Sequence, residues 1–434
     1  MKGRRHTFGA NIDSIEEVAE TSETDNFTAQ QWIWTPLDLT TGAIVERNHP
    51  PDRDGGWDEA TGSKWYNVDG LRFDGDGWWN VVCAHPTNLD RDVDLRLHEP
   101  SSGATDGFDT NVGWSSRGAG RLDAVLVNRN VTGAQDWDVG VLQATDDYAS
   151  GLYRAEHVES IAYSFGDSTD KQLPSGDMLQ VYEVYVPTNG VGPVSVTVEL
   201  DRALGPDDYP AFQAAWFGPT FGTGDLADAE ALAITSAPDG RLRLTVDVPE
   251  AGYHGLVLYR DPAEGQATWD YTIEVDRSPP DWFPLKPANW YAPVVPHRVD
   301  ADLVNLDAPA TLPGNADATY VSLNVRNGGG TGAEGIFRIF TRIDGVDVTG
   351  SVWTGWPAQF TRTVLGRGPV NVDGGRHTLT LVADPLDEYE EISEENNVFG
   401  EQWVWSPLPL TLGTPVTRDQ PSARTVGWDE ISTA

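Results

Sequence analysis

The 434-residue chain has almost no sulfur, with one cysteine, Cys83, and two methionines. A single thiol closes no intrachain disulfide and supplies no cysteine metal cluster. Its context, Trp79-Asn80-Val81-Val82-Cys83-Ala84, reads as a strand, so Cys83 is expected as a small buried apolar side chain. Positive charge is equally scarce: 29 basic residues face 67 acidic ones, for a formal net charge of -38. A field of that sign repels phosphate backbones and anionic lipid headgroups, so neither nucleic acid nor a membrane surface is expected as a partner. Lysine is rarest, at Lys2, Lys64, Lys171 and Lys286. A salt-adapted surface and high-GC coding both produce that bias, and the composition does not separate them. No run approaches the roughly 18 apolar residues of a membrane span, so no membrane insertion is expected. Met1–Arg5 is basic, but His6-Thr7-Phe8-Gly9-Ala10-Asn11-Ile12-Asp13 has no apolar core, so no signal peptide is expected within the chain.

What is present is short apolar runs between turn residues. Hydrophobic residues make up 39% of the chain and aromatics 10%, with 17 Trp, 45 Gly and 29 Pro. That mixture predicts an all-β chain of tandem antiparallel β-sandwich domains, roughly three by length. In Arg241-Leu242-Arg243-Leu244-Thr245-Val246-Asp247-Val248, Leu242, Leu244, Val246 and Val248 fall on one face. Period two of this kind predicts sheets solvated on one side.

A repeat organises the sequence. Gln31-Trp32-Ile33-Trp34-Thr35-Pro36-Leu37 returns as Gln402-Trp403-Val404-Trp405-Ser406-Pro407-Leu408. The same spacing, without a gap, matches Arg5-His6-Thr7 to Arg376-His377-Thr378 and Asp13, Glu17, Glu20 and Asn26 to Asp384, Glu388, Glu391 and Asn397. It also matches Gly56-Trp57-Asp58-Glu59 to Gly427-Trp428-Asp429-Glu430. The expectation is that residues 1–42 are the tail of a module whose full copy lies at 298–412, and that the chain starts inside a module of a longer protein. A weaker, gapped similarity relates Leu126–Asp138 to Leu258–Asp270 and predicts two related sandwiches at 61–146 and 155–277. The joints between them are read as linkers at 43–60 and at 278–297, where six prolines crowd residues 277–296, with a tail at 413–434.

Few residues point to chemistry. Asp90, Asp92 and Asp94 alternate, which on a strand puts three carboxylates on one face beside Asp74-Gly75-Asp76-Gly77. Hard cations take several such oxygens, so these three are the candidate Ca²⁺ ligands; the plainer reading is a solvated acidic face. Trp32 and Trp34, like Trp403 and Trp405, share a face by alternation and are candidate stacking residues for a glycan, or packing residues against a neighbouring module. Gly166-Asp167-Ser168 imitates a nucleophile turn, but no His has an Asp three residues before it, so a loop is expected there. His-Glu-x-x-His and Gly-x-Ser-x-Gly are absent, and no catalytic residue is assigned.

Two resemblances sharpen the function. Asp302-Leu303, Val325-Arg326-Asn327-Gly328-Gly329, Ile343-Asp344-Gly345, Gly375-Arg376-His377-Thr378-Leu379 and the acidic ending Ala383–Asn397 together resemble the bacterial cell-adhesion-related Ig-like family, CARDB, with a degraded copy of the ending at Asp13–Asn26. Arg91-Asp92-Val93-Asp94-Leu95-Arg96-Leu97 with Pro100-Ser101-Ser102-Gly103, and Pro249–Tyr259, resemble bacterial pre-peptidase C-terminal domains; the second copy lacks a clear Asp-x-Asp-Leu. The resemblances imply a non-catalytic adhesion, spacer or substrate-contact region of a large extracellular or cell-surface protein. The expected partners are a protein or glycan ligand and adjacent modules of the parent protein. The accessory tail of a secreted peptidase is the alternative, and a carbohydrate-binding module is a second one.

Overall fold

The computed structural model describes residues 3–11, 27–49, 57–58, 63–64, 68–99, 111–143, 151–201, 212–234, 241–262, 268–298, 312, 318–406 and 410–415. The chain is all-β and divides into two compact units, Met1–Asp276 and Arg277–Ala434. Among the described residues no helix is long and apolar enough to cross a membrane.

Four sheets are stacked in the N-terminal unit. The first orders the strands Asn111–Ser115, Val93–His98, Asp136–Gln143, Asp69–Asp74 and Leu37–Asp38. The second orders Thr223–Asp225, Asp123–Asn128, Trp79–Pro86, Leu152–Glu159 and Val45–Asn48. The third orders Ile161–Ser164, Leu179–Val186, Gly252–Tyr259, Gln213–Phe217 and Ala231–Ile234; the fourth orders Ser168–Leu173, Trp269–Arg277, Gly192–Leu200 and Arg241–Val248. Leu37–Asp38 pairs parallel with Asp69–Asp74 and Ile161–Ser164 parallel with Leu179–Val186, while neighbours such as Leu179–Val186 and Gly252–Tyr259 are antiparallel.

Alternation explains the stacking. Along Trp79–Pro86, Val82 and Ala84 join the core shared with the first sheet, and Trp79, Val81 and Cys83 join the core shared with the third. Along Leu179–Val186, Leu179 and Val181 face the second sheet while Tyr182, Val184 and Val186 face the fourth. Inner strands are therefore buried on both faces: every residue of Trp79–Pro86, Asp123–Asn128 and Gln213–Phe217 is buried. The outer strand Arg241–Val248 keeps strict alternation. Solvation of one face holds for that outer strand and fails for the inner ones. There a third apolar layer joins what the sequence divides into separate sandwiches.

The chain segments cross the expected boundaries. Val45–Asn48, placed in a linker by its sequence, pairs with Leu152–Ala155, and Arg47 holds the buried Asp69 carboxylate through Nε at 2.8 Å and Nη2 at 2.5 Å. The Tyr153 hydroxyl donates to the same carboxylate at 2.7 Å. Leu152–Glu159 belongs to the second sheet, so residue 155 lies inside a strand of the first sandwich. Thr223–Asp225 extends the second sheet from the far side of the sequence by pairing with Val125–Val127. Asp261 pins this seam: its carboxylate accepts from the Leu122 N–H at 3.0 Å, Gln213 at 2.9 Å and Arg121 at 2.5 Å.

In the C-terminal unit, Thr319–Asn327 pairs with Trp282–Pro284, Val294–His297 and Thr361–Val370. The facing sheet orders Val346–Trp356, Ala333–Ile343, Gly375–Ala383 and Val398–Trp405. The proline-rich stretch expected as a linker is thus part of this sandwich, with Trp282, Trp290, Val294 and Val295 in its core. Proline is tolerated there because both short strands pair on one side only, as edge strands do. The gapless repeat survives as register: Arg4↔Trp34, Arg5↔Ile33 and His6↔Trp32 correspond to Gly375↔Trp405, Arg376↔Val404 and His377↔Trp403. Asp13–Asn26, Pro100–Gly103, Asp302–Leu303 and most of the expected tail lie outside the described residues.

Candidate functional site

The expected carboxylate triad does not assemble. Asp90 sits in an exposed turn where its N–H is held by Asn88 Oδ1 at 3.1 Å, Asp92 precedes the strand, and only Asp94 lies in it. The Asp74–Gly77 loop is remote as well. Asp74 pairs with Asp136 and Asp94 with Leu142 on the same central strand, about 20 Å apart at some 3.3 Å per residue. Asp92 and Asp94 instead share a neighbourhood with Asp123, which the local sequence does not connect to them. The Ser115 hydroxyl donates to Asp123 Oδ1 at 2.7 Å and the Arg117 N–H donates at 3.0 Å. Asp92 Oδ1, Asp94 Oδ1 and Asp123 Oδ2 are sealed from solvent without a hydrogen-bond partner. Burial pushes the Asp123 carboxyl up to about 7, and the charges of Asp94 and Asp92 push in the same direction. Among the described residues no group of three or more His, Cys, Asp or Glu side chains is placed to hold a metal ion.

The tryptophans divide by copy. Trp403 and Trp405 are core residues, with Trp405 Nε1 donating to Thr319 Oγ1 at 2.9 Å and Trp403 edge-on to Tyr291. Trp32 is exposed and Trp34 is half-buried. Ser168 opens an exposed edge strand and pairs with Glu274. Cys83 is buried in the layer between the second and third sheets, where burial holds its thiol pKa high and the thiol inert.

A groove that sequence reasoning missed lies on the third sheet. Register brings two rows of residues to the face that meets the second sheet: Ala162, Glu183 and Gly255 side by side, then Ser164, Tyr185 and Tyr253. The first row is covered at Gly255, where a Cβ would stand 2.7 Å from Trp79 Cδ2. Beyond that ring the cover ends. The result is an open groove of about 360 Å³, lined by Ser164, Phe165, Glu183, Tyr185 and Tyr253 among others.

Its aromatic rim is exposed although apolar. Tyr185 and Tyr253 are 49% and 47% exposed, with ring centroids 4.9 Å apart. Trp78 is 52% exposed; its ring lies within 3° of parallel to Tyr253 at 6.3 Å, and the Arg129 guanidinium sits 5.4 Å from its centroid. Glu183, by contrast, is 5% exposed; its Oε2 is sealed and unpartnered, and burial pushes its carboxyl up to about 7. A carboxyl without a cation, set under aromatic rings, is costly to bury and stabilises nothing in its own fold. One signal was legible: Glu183 interrupts the apolar run Val181-Tyr182-Glu183-Val184-Tyr185-Val186.

No family model and no curated protein matches the sequence. Solved structures are similar to parts of it. The CARDB domain of a Pyrococcus furiosus protein, in complex with di-metal ions, is 16% identical over 30% of this chain and 97% of that domain, with a TM-score of 0.21. The pre-peptidase C-terminal domain of a Bacillus anthracis collagenase is 14% identical over 27% of this chain and 94% of that domain, with a TM-score of 0.21. The adhesin domain of Epf from Streptococcus pyogenes is 8% identical over 76% of this chain and 93% of that domain, with a TM-score of 0.17. The strand order of this chain itself is that of antiparallel β-sandwich domains.

Proposed function

We propose that this chain is a non-catalytic contact and spacer region of an extracellular or cell-surface protein, working through its exposed faces. One observation carries the reading: the N-terminal unit spends its sequence on three continuous apolar layers between four sheets. Sheet-on-sheet packing of this extent gives a stiff body that holds surface groups at fixed positions. The hairpin repeated in the same register at both ends of the sequence fits a protein built of successive modules. The strongly negative surface keeps such a body soluble and favours contacts with cationic or neutral partners over nucleic acid or anionic lipid.

The test uses beads coated with the full chain, passed over immobilised matrix proteins and a glycan array. The same chain is incubated with casein, nitrophenyl esters and nitrophenyl glycosides. Retention on at least one surface without turnover of any substrate is expected. Turnover that co-purifies with the folded chain, or no retention on any surface, overturns the reading.

A further inference from the structure

We infer that the groove over Glu183 is a binding site for a primary ammonium group on a flexible apolar stem, the chemistry of a lysine side chain on a partner protein. This deepens the contact-region reading and relies on it only for the source of the lysine. Three observations point to a cation. The groove lining holds a single charged group, Glu183, and among the described residues nothing hydrogen-bonds to its buried Oε2. The rings of Phe165, Tyr185 and Tyr253 line the space around it, and aromatic faces attract cations. The chain carries a net charge of -38, so the field at the groove draws positive groups in.

The groove also selects among cations. Glu183 Oε2 is sealed, so the carboxyl offers one oxygen to a ligand. A guanidinium binds best to two carboxylate oxygens in parallel, whereas an ammonium is a point charge satisfied by one. The remaining ammonium protons have the Ser164 hydroxyl in the adjacent row. A four-carbon stem then lies along Tyr185 and Tyr253. A neutral sugar, the other ligand that aromatic rims bind, needs several converging polar groups; here the lining polar side chains are one carboxyl and a few hydroxyls.

The experiment titrates the full chain with n-butylammonium chloride, followed by saturation-transfer NMR, beside n-butanol, n-butylguanidinium and methyl glucoside. Binding of butylammonium is expected, with butylguanidinium at least about threefold weaker and no detectable binding of butanol or the glucoside. Glu183→Gln keeps the size of the side chain and is expected to weaken butylammonium at least tenfold. Tyr253→Ala, at an exposed position, weakens it severalfold without moving the thermal midpoint. Equal binding of butanol, a preference for the glucoside, or an unchanged affinity in folded Glu183→Gln overturns the inference. The two readings fail separately: adhesion unaffected by Glu183→Gln sinks the lysine site alone, and ammonium binding by a chain that adheres to nothing sinks the contact reading alone.

Discussion

Trp79→Ala is expected to destabilise both sandwiches of the N-terminal unit together, by about 4 kcal/mol, the usual cost of deleting a large buried aromatic side chain. The Trp79 ring is fully buried in the layer between the second and third sheets, 6.0 Å from the Phe217 ring and 5.8 Å from Phe221. It fits because Gly255 on the facing strand has no side chain. A Cβ there would stand 2.7, 2.8 and 2.9 Å from three carbons of the indole, which is rigid and packed on its other side. Gly255→Ala is therefore expected to cost about 1–3 kcal/mol through overpacking, although alanine normally suits a strand at least as well as glycine. Combining the two substitutions is expected to recover part of the loss, because the cavity admits the new methyl group. Chemical denaturation with far-ultraviolet circular dichroism measures all three variants. Independent sandwiches would instead show one transition shifted and the other unmoved.

This shared layer marks where sequence reasoning stopped. Strict alternation in Arg241–Val248 gave away an outer sheet, and the gapless repeat gave away the hairpin register at both ends. The runs Val81-Val82-Cys83-Ala84 and Ala214-Ala215-Trp216-Phe217 are apolar on both faces, and periodicity alone does not say what covers the second face. Boundaries drawn at prolines failed for a related reason. Proline excludes a central strand but not an edge strand, and Trp282–Pro284 and Val294–His297 are edges. For the site, Asp90, Asp92 and Asp94 had the right spacing for one face, but only Asp94 is on the strand. Asp123 and the Glu183 groove come from pairings between distant segments, which a single sequence does not reveal.

A second large effect concerns pH. Burial lifts the carboxyls of Asp123, Glu156 and Glu183 in the N-terminal unit to about 7, and that of Glu391 in the C-terminal unit to about 8. In the unfolded chain these groups lose their protons near pH 4, so between pH 4 and 7 the folded state holds protons that the unfolded state has released. Their cost to folding is absent below the unfolded pKa, grows as pH rises between the two values, and is complete above the folded one. Buried histidines oppose this in acid: burial holds His157 down at about 4 and lowers His85 and His254, and their contribution is lost as pH falls below the usual imidazole range. Above the usual imidazole range the carboxyls alone set the slope, so the N-terminal unit is expected to lose stability as pH rises from 6.5 to 8. From pH 6.5 to 8 its three carboxyls cost about 1 kcal/mol each, or roughly 6–12 °C of melting temperature together. Scanning calorimetry across that range checks the slope. The Asp123→Asn, Glu156→Gln, Glu183→Gln triple variant is expected to flatten it, and a midpoint that climbs from pH 6.5 to 8 contradicts the assignment.

The proposed role as a stiff contact body depends on the four sheets of Met1–Asp276 behaving as one unit. Native-state hydrogen exchange on the full chain measures that directly. Amides of Trp79–Pro86 in the second sheet, Leu179–Val186 in the third and Arg241–Val248 in the fourth are expected to open with one common free energy, and Trp79→Ala is expected to lower all three alike. Separate opening energies for the second and third sheets, with only one lowered by Trp79→Ala, would contradict the account.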